Sequence, residues 1–201
     1  MISLPSVETG GHPSEPSTNG VDALRRALHG GALQLENEEI QGILSHRKPQ
    51  LLLDRVLTLI PGQSGVGIKS LTGNESGLAK RRHGFVFPST FALEALAQLA
   101  GVVLDYESAA QPIARRPRLR QWLLASVESF DVAREITEVG QLVLSVQLLD
   151  TIPHVVATGD VSAERRVSGQ AYVNGHLCVT TQFQLAQLAQ FEPTSHRAVG
   201  F

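Results

Sequence analysis

The chain has 201 residues, 42% of them hydrophobic and 18% charged, with a formal net charge of −2. That length supports one domain with a sizeable core, and the near-neutral balance gives no general electrostatic reason to bind nucleic acid or an anionic membrane. A single cysteine, Cys178, excludes an internal disulfide framework and a cysteine metal cluster.

Residues 1–20 are rich in Gly, Pro, Ser and Thr and predict a disordered tail; they lack the basic end and apolar core of a secretory signal. A single domain is expected over 21–188, followed by a second tail over 189–201. Its first element is a short helical extension at 21–29, with Val21, Leu24 and Leu28 on one side and Gly30-Gly31 ending it. A second short helix is predicted over 36–44, where Ile40, Ile43 and Leu44 are apolar. Residues 45–50 form a turn. Strands follow at 51–60 and 65–71, separated by Pro61-Gly62, and a loop over 75–87 leads onward.

The longest element is a helix beginning near Pro88 and running to about Ser108. Pro88 suits a first helical position, and Ser89 or Thr90 can cap it. Phe91, Leu93, Leu96, Leu99, Val102, Val103 and Leu104 surround nearly its whole circumference, so the helix is expected to be buried. Its apolar run, interrupted by Glu94 and Gln98, is too short to span a bilayer, and a soluble cytoplasmic protein is expected. Thr90, Glu94 and Gln98 follow one another at four-residue spacing, roughly continued by Gly101. A carboxylate on a buried helix needs a partner, because an unpaired buried charge is costly. Either it bonds a neighbouring strand or subunit, or it serves a site.

Residues 109–120 hold Pro112, Pro117 and the cluster Arg115, Arg116, Arg118 and Arg120, and read as a connector. A strand is expected at 121–130. At 141–149, Leu142, Leu144, Val146 and Leu148 alternate with a period of two. Further strands are expected at 153–163, 167–173 and 177–185, the last two joined by an Asn174-Gly175 hairpin turn. The order predicts an α+β fold in which a curved antiparallel sheet wraps around one long central helix. One sheet covers one side of that helix, so dimerisation is expected.

Three segments resemble the 3-hydroxyacyl-acyl-carrier-protein dehydratases of the hot-dog superfamily. Ile43-Leu44-Ser45-His46-Arg47-Lys48-Pro49-Gln50-Leu51-Leu52-Leu53-Asp54-Arg55-Val56 is similar to that family's L-P-H-R-x-P-x-L-L-x-D-R-V segment, with Ser45 in place of the proline. Leu93-Glu94-Ala95-Leu96-Ala97-Gln98-Leu99-Ala100-Gly101 is similar to the start of its central helix. Gly140-Gln141-Leu142-Val143-Leu144 and the final hairpin resemble its closing strands. The likeness spans about residues 36–185 and implies the hot-dog fold.

It also implies a reaction, removal of water from a 3-hydroxyacyl thioester in fatty-acid or polyketide synthesis. A base takes a proton beside the thioester carbonyl and an acid helps the hydroxyl leave. The family pairs a loop histidine with a helix carboxylate of the other subunit, at the dimer interface. Glu94 matches the carboxylate, and Gln98 can bond the hydroxyl or water. Phe87, Pro88 and Ser89 fall at the helix start, where backbone N–H groups can hold the carbonyl oxygen. The implied partners are an acyl-carrier protein bearing a phosphopantetheine-linked acyl chain and a second subunit in a homodimer or heterodimer. Lys80-Arg81-Arg82 and Arg115–Arg120 read either as solvated faces or as runs of which one docks the acidic carrier protein and its phosphate. No metal or other cofactor is implied.

The histidine departs from the pattern. Counted back from Glu94, its family position falls near Lys80, whereas His83 lies closer to the helix, and Ser89 replaces the usual glycine after Pro88. Three arrangements fit. A rebuilt loop brings His83 to the site; a paralogous subunit supplies the histidine to Glu94; or the chain keeps the acyl groove as a catalytically silent binding partner. A hot-dog thioesterase using a carboxylate and a water is the rival chemistry. His46 and Arg47 are read as turn residues that fix the backbone or pair with a carboxylate such as Asp54, with catalysis as the alternative. His154 and His176 are expected to be exposed, and Cys178 to be a small core residue.

Overall fold

Alternating apolar residues build most of this molecule, and one all-round apolar helix fills it. The structure is a computed structural model that describes residues 33–72, 79–81, 84–109, 122–152 and 161–188. In chain order these form β1 (Leu33–Leu35), α1 (Asn37–Ile43), β2 (Arg55–Ile60), β3 (Ser64–Leu71), β4 (Ala79–Arg81), β5 (Gly84–Val86), α2 (Ser89–Ala109), β6 (Trp122–Val132), β7 (Gly140–Ile152), β8 (Val161–Val173) and β9 (His176–Leu188). Seven strands make one antiparallel sheet in the order β1-β2-β3-β7-β8-β9-β6, while β4 and β5 pair separately.

The sheet turns one face toward α2, the hot-dog arrangement. On β7 the inward residues Leu142, Leu144 and Val146 are buried, as their period of two predicts. On α2, Ala92, Ala95, Leu96, Leu99, Ala100, Val102 and Val103 have no solvent exposure. The helix lies close against β3. A methyl group at Gly67 would sit 2.7 Å from Leu53 Cδ1 and 3.3 Å from Leu99 Cδ1, so the absent side chain makes room for both leucines. The β8–β9 hairpin turns at Asn174 and Gly175, both at positive φ (50° and 80°), as the Asn-Gly pair predicts.

Several expected boundaries differ. β1 is only three residues long and carries no periodic signal. Residues 51–54 do not join β2, because their backbone bonds elsewhere: Leu51 N–H to Arg47 O (3.0 Å), Leu52 N–H to the Gln98 side chain (2.9 Å) and Asp54 N–H to Ile68 O (2.9 Å). The expected loop at 75–87 contains the β4–β5 pair. The strand expected at 167–173 is the end of a longer one, β8, whose register shifts between Val161 and Ala163. The tails over 1–20 and 189–201, the helix over 21–29, residues 153–160 and nearly all of the arginine-rich connector lie outside the described residues.

Candidate functional site

The polar line on α2 is organised by Gln98, which is 2% exposed. Its Oε1 accepts the Leu52 N–H (2.9 Å), and its Nε2 donates to Gln50 O (2.8 Å) and to Glu94 Oε1 (2.9 Å). Both amide hydrogens are therefore committed within the chain. Residues 50–52, which lack ladder partners, are held against the helix by this one side chain. The same amide fixes one oxygen of Glu94.

His46 approaches the same oxygen from the turn after α1. The Arg47 guanidinium donates to Leu44 O (2.8 Å) and His46 O (2.7 Å), which fixes the turn's backbone. The turn includes a cis Lys48–Pro49 bond. His46 Nε2 then lies 3.6 Å from Glu94 Oε1, while its Nδ1 is buried without a hydrogen-bond partner. Asp54, an expected partner for His46 or Arg47, is engaged elsewhere: its Oδ2 accepts the Ser70 N–H (2.7 Å) and lies 3.8 Å from Lys69 Nζ.

Glu94, Gln98 and His46 line a cleft of about 230 Å³ between α2, the α1 turn and β6. Leu44, Ala97 and Gly101 line it along the helices, and Leu123, Leu124 and Leu185 along the sheet. At the far end the buried Asp105 carboxylate accepts the Trp122 indole N–H at 3.1 Å. The Glu94 side chain is 43% exposed, so a carboxylate anchored through one oxygen remains reachable. A larger hollow of about 620 Å³ lies among β2, β3, β7 and β8, but its Thr, Ser and Gln lining offers no acid or base.

The structure thus joins Glu94 and Gln98 and adds His46 to them. It does not bring Phe87, Pro88 or Ser89 into the cleft. Phe87 is buried, its ring edge-on to Phe91 (centroids 5.8 Å apart) and its N–H bonded to Ile136 O (2.8 Å). Pro88 and Ser89 are half-buried at the start of α2, Ser89 about 7.5 Å along the axis from Glu94 at the usual helical rise. His83 and the side chains of Lys80, Arg81 and Arg82 lie outside what is described. Sequence reasoning missed Asp105 and Trp122. Asp105 had a signal, since Glu94, Gln98, Gly101 and Asp105 continue one helical stripe; Trp122 comes from a distant segment and had none.

Away from the cleft, Cys178 is buried, and burial pushes its thiol up from its ordinary pKa, as suits a core residue. His176 is exposed. Among the described residues no group of three or more His, Cys, Asp and Glu side chains could hold a metal ion, and no helix is long and apolar enough to cross a membrane.

No family model matches the chain. It is 33% identical over 153 residues to the 3-hydroxyacyl-[acyl-carrier-protein] dehydratase FabZ of Geobacillus thermodenitrificans, a match covering 76% of this chain and 94% of that one. Among solved structures it is similar to the dehydratase heterocomplex ApeI:P from Xenorhabdus doucetiae, with a TM-score of 0.57 and 18% identity over 74% of this chain and 90% of that one. It is also similar to a virulence protein from Campylobacter jejuni, with a TM-score of 0.51 and 10% identity over 76% and 89% of the two chains. At such identities the solved structures speak for the fold alone, which is the hot-dog fold.

Proposed function

The chain belongs to the 3-hydroxyacyl-[acyl-carrier-protein] dehydratase family, and from that premise we propose that it contributes the Glu94 half of a dehydratase site completed by a second subunit. The substrate is a 3-hydroxyacyl thioester on an acyl-carrier protein in the cytoplasm. Dehydration breaks the C2–H and C3–O bonds and forms the C2–C3 double bond, so one group must accept a proton and another must donate one to the departing hydroxyl. Glu94 suits the hydroxyl. Its Oε1 is occupied by Gln98 and faced by His46, and its Oε2 takes no hydrogen bond from the described residues. A histidine from across the interface takes the C2 proton. It is either His83 of a second copy or a histidine of a paralogous subunit.

One observation carries this reading. The cleft holding Glu94 opens on β6, the last strand of the sheet among the described residues, and two cleft-lining residues there, Leu123 and Leu124, are 48% and 39% exposed. An open sheet edge with exposed leucines is a place for another strand. A subunit paired there would wall the cleft as well. Fold likeness to a dehydratase that is itself a heterocomplex supports a two-subunit site.

The test uses the full chain, alone and mixed with a family member that carries the usual loop histidine. Unsaturated thioester should form from a 3-hydroxyacyl-carrier-protein substrate in the assembled state, and Glu94→Gln should abolish it. Free acid as the product would establish a thioesterase instead. Acyl binding without turnover in either arrangement would leave a silent binding subunit.

A further inference from the structure

Glu94 has two neighbours on one oxygen, and they differ in kind. The Gln98 amide is at hydrogen-bond distance (2.9 Å), whereas the His46 ring nitrogen is at 3.6 Å, beyond a formed bond. Contacts of catalytic groups are often long without substrate and tighten when it is bound. The surroundings of the ring say what such a contact would be. Nδ1 is buried with no acceptor, so a hydrogen there would be an unsatisfied buried donor. The tautomer that the surroundings accommodate carries its hydrogen on Nε2, the nitrogen facing Glu94. The ring's backbone is itself fixed, because Arg47 bonds the carbonyls of Leu44 and His46.

We infer that His46 is a positioning residue for Glu94, donating from Nε2 to Oε1 so that only Oε2 is left to meet the substrate. The idea rests on the reading of Glu94 as the group that serves the hydroxyl. Gln98 supplies the permanent anchor and His46 the adjustable one. Together they stop the carboxylate from rotating about its last bond, which would otherwise exchange its two oxygens. His46 is not the proton acceptor for C2: one of its nitrogens is sealed in the protein and the other is directed at a carboxylate oxygen.

The experiment has two arms. Long-range proton–nitrogen NMR on the full chain, with the His46 signals identified by their loss in His46→Gln, should show the Nε2–H tautomer. The Nε2 resonance should move in Glu94→Gln. An Nδ1–H tautomer, or no response to Glu94→Gln, overturns the inference whether or not the chain dehydrates anything. In the active assembly, His46→Leu should lower kcat by about 10²-fold, the usual cost of a misplaced reacting group, with KM nearly unchanged. His46→Gln, whose amide nitrogen can stand where Nε2 stood, should keep most of the rate. If His46→Gln falls as far as His46→Leu, the ring itself exchanges a proton and positioning is refuted. If the wild-type assembly shows no dehydration, the functional reading fails, and the NMR arm alone decides the contact between His46 and Glu94.

Discussion

The two walls of the cleft are built in opposite ways. On the α2 wall, Gln98 satisfies a backbone donor, a backbone acceptor and a carboxylate at once, and the helix beneath it is packed without exposure. On the β6 wall, Leu124, Val127 and Val132 pair in register with Leu185, Phe183 and Val179, so they share the inward face, yet they stay 39%, 43% and 45% exposed while their partners are buried. One wall has its bonds made; the other has apolar surface that the described residues leave uncovered. Burial is concentrated on the first wall and exposed apolar surface on the second, the division that the proposed two-subunit site requires.

The largest effect should come from breaking the chemistry while leaving the packing of both walls intact. Glu94→Gln keeps the shape and an oxygen or nitrogen at each position. In the active assembly, turnover should fall by about 10²–10⁴-fold, the usual contribution of a general acid or base. The melting temperature should barely change, since Glu94 is half-exposed. Rate and thermal unfolding measured on the same preparation check this, and a large loss of Tm would make Glu94 part of the scaffold instead.

Breaking the α2 wall should cost stability first and activity second. Gln98→Leu leaves the Leu52 N–H and Gln50 O without partners at a cost of about 1–3 kcal/mol each, so about 2–6 kcal/mol in total. For a domain of this size, at about 2–4 °C per kcal/mol, that is a fall of roughly 4–24 °C in Tm. A calorimetric scan reads it, and a Tm within a degree of wild type would mean that residues 50–52 find other partners.

Breaking the β6 wall should do the reverse. Val127→Lys places a charge on the inward, uncovered part of the edge strand. Hot-spot positions in interfaces are typically worth about 2 kcal/mol or more, roughly 30-fold in Kd. Sedimentation should show a lighter species, with the circular dichroism of each subunit unchanged. An assembly of unaltered mass would move the interface off β6.

The contrast also explains what the sequence could reveal. Burial of α2 was legible because seven large apolar residues cover its circumference, and the inward face of β7 because Leu142, Leu144 and Val146 alternate. Glu94 and Gln98 were legible as a pair from their spacing and their family likeness. What Gln98 does was not, since its backbone partners at 50 and 52 are 48 and 46 residues away in the chain. The same holds for His46, which was expected to serve the turn or Asp54. It is the fold that sets that turn against the helix. Leu51 to Asp54 read as the start of a strand for a related reason: apolar composition does not show that a side chain will take the backbone bonds.

The smallest effect sharpens the picture of β6 itself. Its outer face is tied down: Arg166 donates two hydrogen bonds to Glu128 (3.0 and 2.6 Å), and Gln184 donates a third (2.7 Å), linking β6 across β9 to β8. The Arg166 and Gln184 bonds hold the Glu128 carboxyl below its ordinary pKa. A folded pKa below the unfolded one means that the contribution is present above the unfolded value of about 4.5 and is lost as pH falls through the folded value. Glu128→Gln removes that titration. The variant should therefore melt slightly below wild type near neutral pH, and the two curves should converge as the solution is acidified past the folded pKa. The gap should also narrow with added salt, because the pair is solvent-exposed. A gap that persists unchanged in acid would mean that Glu128 acts by packing, and the outer face of β6 would then be no better anchored by charge than its inner face.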